Sequence, residues 1–288
     1  MKKTGRYIFY IFTIFTCVII LILAIYYSFI VEKPNGKVNV DGEEQNRVHT
    51  VDIQTTKEEF ENEFNNMFNK GEFDDSTIAK LDGEKDIIYL ANSEDGIAPS
   101  YKIDSNGKNF TAYIPMFNID NEIAKGYNER INALIQTLNG FLSDDSQNFQ
   151  GSMTFSANIV NNVLSVGIKV DYKVGYDAQK TIYQTYNYNL STGTNIGIMD
   201  IVNEKGLNTT DVNTKIKETV SQIAMDSQAI QGSGYEVYQR DPSLPIYDIT
   251  SQEAATNLLF ILGRKGTLYI VYAYGNQNST QEYDVIKF

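Results

Sequence analysis

VLSVGIKVDYKVGYDAQKTIYQTYNYNLSTGTNIGIMDI, residues Val163 to Ile201, reads as two long strands joined by a turn. In the first, Leu164, Val166, Ile168, Val170 and Tyr172 alternate with Ser165, Gly167, Lys169 and Asp171. In the second, Ile182, Tyr186, Tyr188 and Leu190 alternate with Tyr183, Thr185, Asn187 and Asn189. A period of two with apolar residues on one side predicts a sheet with one buried and one wet face. Ser191-Thr192-Gly193-Thr194 then breaks the run and leads into a shorter apolar piece, Ile196 to Ile201.

Working back from this pair, Met153, Phe155, Ala157 and Ile159 alternate in the same way. Before them Ile123, Tyr127, Ile131, Leu134, Ile135, Leu138, Phe141 and Leu142 recur at steps of three and four. That spacing predicts an amphipathic helix, capped by Asn118 or Asp120, with a stripe wide enough to lie across the sheet. Strands are predicted at Asp86 to Leu90, Tyr101 to Asp104 and Asn109 to Phe117. The last two are separated by Asn106-Gly107, a strong hairpin-turn signal, so the Ser105-x-x-Lys108 pattern is read as a turn and not as a nucleophile motif. A calcium loop at Asp104 fails because its sixth and twelfth places lack the required Gly and Glu. An earlier helix, capped by Thr55 or Thr56 and reaching Lys70, carries Phe60, Phe64, Met67 and Phe68 as a docking face for the core.

Working forward, a helix opening at Thr209 or Thr210 carries Val212, Ile216, Val220, Ile223 and Ile230 and is stopped by Gly232-Ser233-Gly234. Tyr235 to Thr250 follows as a surface loop around Asp241-Pro242-Ser243-Leu244-Pro245. Leu258 to Leu262, Thr267 to Tyr274 and Glu282 to Phe288 close the chain as strands. The mixed order with hairpins predicts an α+β fold, a mostly antiparallel sheet with helices packed on one face, preceded by a single transmembrane helix.

The transmembrane reading rests on Tyr7 to Val31, where no residue is charged. At 1.5 Å per residue that run makes roughly 37 Å of helix, enough to cross a ~30 Å hydrocarbon core with some tilt. Lys2, Lys3 and Arg6 precede it, which predicts an inside N-terminus and an outside C-terminal body. A cleaved signal peptide is the rival, but Ile-Tyr-Tyr-Ser-Phe-Ile-Val follows Ala24 where a small-x-small site is needed. The single Cys, Cys17, lies within the run after Thr16, which argues against lipidation and leaves no disulfide within the chain. The organisation expected is a cytoplasmic tail (1–6), an anchor (7–31), a flexible tether (32–54), a helix-and-strand region (55–100) and an extracytoplasmic domain (101–288). Lone His49 falls in the expected tether, where nothing would orient it as a base.

The run YNYNLSTGTNIGIMDIV, with its aromatic strand, Thr-Gly turn and apolar-Asp-apolar end, resembles a bacterial extracytoplasmic domain family. That family is shared by the lysozyme-sensing anti-sigma-V factor and by a peptidoglycan deacetylase, as an accessory region ahead of its catalytic domain. Tyr113-Ile114-Pro115 and LLFILGRKGTLYIVYAYGN resemble its first half and its closing hairpin, so the resemblance covers Tyr101 to Phe288. It implies a wall-facing module in a bacterial, Gram-positive cell membrane, and in the anti-sigma relative that module binds lysozyme. It supplies no contact residues.

Composition removes several kinds of chemistry. With one His and one Cys, Ser-His-Asp and Cys-His mechanisms and the usual zinc sites cannot be assembled. A glycan hydrolase needs only two carboxylates among the 36 Asp and Glu, but no pair is marked as facing. Without Lys2, Lys3 and Arg6 the net charge falls from −12 to −15, which disfavours nucleic acid and attracts basic partners. The expected function is therefore a non-enzymatic binding or sensing module without cofactor or metal, whose ligand is a basic protein such as lysozyme or a cell-wall glycan. Its membrane contact is its own helix. A structural subunit of an envelope complex and a carboxylate-based wall hydrolase are the alternatives. Tyr235, Tyr238 and Tyr247 are the candidate contact residues.

Overall fold

The computed structural model describes residues 48–51, 63–68, 80–81, 85–93, 98–230, 240–263, 266–274 and 282–288, all within one unit that spans Glu44–Phe288. The expected anchor, 7–31, lies outside the described residues, and among those described no helix is long and apolar enough to cross a membrane.

The fold is α+β. Two short two-stranded ribbons pair β2 (Lys80–Leu81) with β3 (Lys85–Asp86) and β4 (Ile88–Leu90) with β7 (Pro115–Phe117). The main sheet has six strands in the order β11-β10-β9-β8-β6-β5. These are β5 (Tyr101–Ser105), β6 (Lys108–Ala112), β8 (Phe149–Val160), β9 (Val163–Val174), β10 (Lys180–Asn189) and β11 (Thr194–Asn195). Its neighbours are antiparallel except β6 and β8, which run parallel because helix α1 (Glu122–Leu142) crosses over between them. Asn106 and Gly107 both take positive φ, 52° and 75°, which gives the tight β5–β6 turn that their sequence signals.

Helix α1 starts one residue beyond the expected caps. Asn121 Oδ1 accepts the Ile123 N–H at 2.7 Å, so Asn121 is the N-cap instead of Asn118 or Asp120. Its buried stripe, Ala124, Tyr127, Ile131, Leu134 and Leu138, packs against Phe155, Val166, Ile168 and Val170 of the sheet. Tyr127 also donates its hydroxyl to Asn187 O at 3.0 Å, and burial pushes that hydroxyl's pKa up to about 12. Lys108 extends beneath the other end of α1, where its ammonium reaches Phe141 O at 3.3 Å, Gln147 O at 2.6 Å and Asp144 O. A cation there satisfies the free carbonyls and the negative pole of the helix. Leu134→Ala should cost about 2–5 kcal/mol, because Leu134 is 6% exposed in this core. A denaturant titration showing a loss under about 0.5 kcal/mol would put the side chain in the surface class.

A second sheet, in the order β1-β14-β13-β12, joins β1 (Val48–Val51), β12 (Leu259–Leu262), β13 (Leu268–Tyr274) and β14 (Glu282–Lys287). Residues 48–51, expected within the tether, are thus a strand parallel to β14, and His49 stands in register with Asp284. Helix α2 (Ile198–Glu204) occupies the expected apolar piece after the Thr-Gly turn, and Asp200 accepts the Gly197 N–H at 2.8 Å to cap it. Helix α3 (Thr209–Ile230) begins at Asn208, whose Oδ1 accepts from Thr210 N and Asp211 N, so neither Thr209 nor Thr210 is its cap. Val212, Ile216 and Val220 of α3 pack with Leu268, Ile270, Tyr272 and Ile286 of the second sheet. The glycines expected to stop α3 lie outside the described residues.

The expected wet face of the main sheet is buried at Ser165, Gly167, Tyr183 and Asn187 and half-buried at Lys169, Asp171, Thr185 and Asn189. The free edge of β12 is set against it, and side chains of that face take the place of a neighbouring strand. Ser165 Oγ accepts the Leu262 N–H at 2.8 Å, Asn187 Nδ2 donates to Phe260 O at 3.0 Å, and Asn158 Nδ2 donates to Leu262 O at 3.1 Å. Ser165 Oγ donates to Asn187 Oδ1 at 2.6 Å, tying the ladder together. Gly167 leaves room for the close approach, since a Cβ would lie 2.5 Å from Ile261 Cδ1 and 3.1 Å from Phe68 Cε1 and would make those side chains shift. Beside this seam Phe64 and Phe68 fill the space between Tyr183, Tyr269 and Tyr283, as the expected docking face does.

Candidate functional site

The loop expected to carry contacts is described from Arg240 onward, and Tyr235 and Tyr238 lie outside the described residues. Its course is set by local polar turns. Asp241 Oδ1 accepts the Ser243 N–H at 2.9 Å and the Ser243 hydroxyl at 2.7 Å. Asp248 Oδ1 does the same for Thr250, at 3.0 and 2.7 Å, and also accepts from Asn213 Nδ2 of α3 at 2.8 Å. These hydrogen bonds favour the charged form, so both carboxyls are held below the usual range, Asp241 by Ser243 and Asp248 by Thr250. A 3₁₀ turn, Pro245–Tyr247, follows, and then the short helix α4 (Gln252–Asn257), capped by Ser251.

Tyr247 is 1% exposed, so this candidate contact residue is a core residue of the described fold. Its ring packs on Tyr272, with centroids 4.9 Å apart, and its hydroxyl lies 2.7 Å from that of Tyr274. Ile249 is buried beside it. The two act as pegs that hold the loop to the second sheet, leaving Asp241, Ser243, Leu244 and Pro245 outward. Leu244, 46% exposed, is the large apolar side chain that the loop presents.

At the root of the loop is a buried ion pair that sequence reasoning did not find. Arg240 Nε and Nη2 donate to Asp284 Oδ2 and Oδ1 at 2.7 and 3.0 Å, and neither side chain is exposed. The guanidinium carbon also lies 4.6 Å from the Tyr274 ring centroid. Burial first, then the Asp284 charge, raises the Tyr274 hydroxyl far above its ordinary range, so it remains neutral and able to donate. The sequence carries no local signal for it, because period two sets Asp284 with Glu282 against Tyr283 and Val285, so that it reads as a wet-face residue. The Tyr272 hydroxyl, buried nearby, has no hydrogen-bond partner among the described residues.

Of the strand and turn carboxylates Asp171, Asp177 and Asp200, the first and the last have structural partners. Asp171 meets Lys169 Nζ at 2.9 Å and accepts from the Thr181 hydroxyl, and Asp200 caps α2. Among the described residues, no group of three or more His, Cys, Asp or Glu could hold a metal ion. The arrangement around the loop can present a fixed, partly acidic surface; its buried polar groups serve to hold that surface in place.

No protein-family model matches the chain, and no curated protein matches it. Among solved structures, a protein of the DUF3298 family from Pseudomonas aeruginosa PAO1 is similar at 12% identity, with 61% of this chain and 78% of that one covered and a TM-score of 0.31. A likeness of that degree assigns no function.

Proposed function

We propose that this chain is a membrane-anchored extracytoplasmic binding module that faces the cell wall and captures a basic protein such as lysozyme, or a wall glycan, without turning it over. The observation that carries the reading is charge. The part beyond Arg6 has a net −15, and carboxylates such as Asp120, Glu122, Glu129, Asp211, Glu218 and Asp241 are exposed on the described surface. Such a field speeds encounter with a cation-rich protein and keeps nucleic acid and anionic lipid away. The uncharged run Tyr7 to Val31 with its basic flank supplies the anchor of this reading, and the resemblance to the lysozyme-sensing family supplies the ligand class.

Calorimetric titration of the full chain in detergent with lysozyme tests the protein-ligand form. Affinity should fall by about tenfold or more as salt rises from about 0.01 to 0.15 M, because the Debye length shrinks from about 30 to 8 Å. Absence of binding at the lower salt would remove lysozyme as ligand. Release of reducing sugar from peptidoglycan by the purified chain would replace the module by a hydrolase.

A further inference from the structure

Three connections converge at one end of the main sheet, away from the loop just described. Phe149 N donates to Gly107 O at 3.0 Å, which ties the α1–β8 connection to the β5–β6 turn. Gly175 N donates to Asn148 O at 2.8 Å, which ties in the β9–β10 turn. Lys108 holds the same connection from beneath through Asp144 O and Gln147 O. Asp144 accepts from Ser146 N, the Ser146 hydroxyl and Gln147 Nε2, so the connection is fixed internally as well. The end is thus stitched together while residues 143–148, 104–107 and 176–177 remain exposed.

Tyr176 stands at the tip of the β9–β10 turn and is 105% exposed, an aromatic ring with both faces in water. Around it the three connections offer Asn106, Asp144, Gln147, Asn148 and Asp177, planar amides and carboxylates that both position and hydrogen-bond. Tyr set among Ser, Asn and Gly is the composition of antibody binding loops, where Tyr supplies contact area at low entropy cost while the small polar residues adapt. Loops already fixed before binding lose little further freedom when a ligand arrives.

The chemistry of the ligand follows from what this end has and lacks. The carboxylates Asp104, Asp144, Asp145 and Asp177 are exposed, while the ammonium groups of the same end are buried at Lys108 and half-buried at Lys173 and Lys180, a formal net of −1 that falls well short of the −15 carried beyond Arg6. Among the described residues the exposed large hydrophobics are Tyr89, Tyr101, Tyr176, Met225 and Leu244, and of these Tyr176 alone lies on the three connections. A protein partner needs an apolar centre to dock on, and a strongly basic one needs excess negative charge. A neutral oligosaccharide needs neither, since its hydroxyls pair with planar polar groups and its C–H face covers an aromatic ring. We infer that this end, centred on Tyr176, is a carbohydrate-binding surface for a neutral, hydroxyl-rich glycan. The inference rests on the reading of the chain as a wall-facing binding module and gives its glycan ligand a place.

The test is titration of the full chain in detergent with a tetramer of β-1,4-linked N-acetylglucosamine, followed by calorimetry, with lysozyme as a parallel ligand. Tyr176→Ala should weaken the tetramer by about tenfold while Tyr176→Phe, which keeps the ring, stays within about twofold. Gln147→Ala should weaken it by a smaller factor, and Met225→Ala, exposed on α3, should leave it unchanged. Because Tyr176 touches solvent on every side, its loss should not move the unfolding midpoint. Equal tetramer affinity for wild type and Tyr176→Ala would overturn the surface assignment. Binding of lysozyme but not of the tetramer would overturn the glycan inference and leave the module reading standing, whereas binding of neither would overturn both. Loss of lysozyme binding alone in Tyr176→Ala would reassign this end to a protein partner and equally overturn the glycan.

Discussion

Replacing Asp284 by Ala should destabilise the domain by about 3–5 kcal/mol, more than truncation of any exposed residue of the loop. The size follows from geometry. Arg240 and Asp284 have side chains that are 0% exposed and share two hydrogen bonds at 2.7 and 3.0 Å. With the carboxylate removed, the buried guanidinium loses the countercharge of Asp284 and both of these hydrogen bonds. Arg240 opens the loop, so the same change should loosen residues 241–246 and expose them to protease. The double variant Arg240→Met/Asp284→Leu should cost much less than the single one, because an apolar pair leaves no orphaned charge. Denaturant titration of wild type, both singles and the double closes the cycle. A single-variant cost under about 1 kcal/mol would show that water reaches the pair.

That pair also marks where sequence reading stops. Period-two alternation in Val163 to Leu190 and the three-and-four stripe of Ile123 to Leu142 are local signals, and the structure puts both where those signals point. The Asn106-Gly107 turn was legible for the same reason, since its φ values are a property of two residues. Helix caps were off by one to three residues because several Asn, Asp and Thr stand near each start, and only tertiary contacts choose among them. Asn121, for example, also donates to Gly193 O at 3.1 Å, 72 positions away. What alternation cannot reveal is the partner of a polar face. Ser165 and Asn187 have the composition of a wet face and are 0% and 4% exposed, because a strand 97 and 73 residues later, respectively, sets its edge against them. For the loop, sequence position identified the segment while burial reversed the role of Tyr247. An aromatic in a polar stretch can be the contact or the peg, and composition does not distinguish them.

The seam between the sheets provides the second large effect. Asn187→Ala removes the donor to Phe260 O and the acceptor of the Ser165 hydroxyl, two bonds at 3.0 and 2.6 Å in a region closed to water. Each buried group left without a partner costs about 1–3 kcal/mol, so the variant should lose about 2–6 kcal/mol, beyond what a neutral truncation of the same size would cost. Thr185, on the same face but only half-buried, is the internal comparison, and Thr185→Ala should cost much less. The seam also has a protective role. The outward backbone groups of β12 are those of an edge strand, and in this fold side chains of Asn158, Ser165 and Asn187 occupy them in place of another strand. Once Asn187 is gone, part of that edge becomes available to a second chain during transient opening. Asn187→Ala should therefore self-associate near its unfolding midpoint, while Leu134→Ala, which loses comparable stability from the opposite face of the sheet, should unfold as a monomer. Size-exclusion chromatography across a denaturant series distinguishes them. An Asn187→Ala midpoint equal to wild type would mean that the seam contributes no stability, and equal association of the two variants would mean that β12 needs no protection.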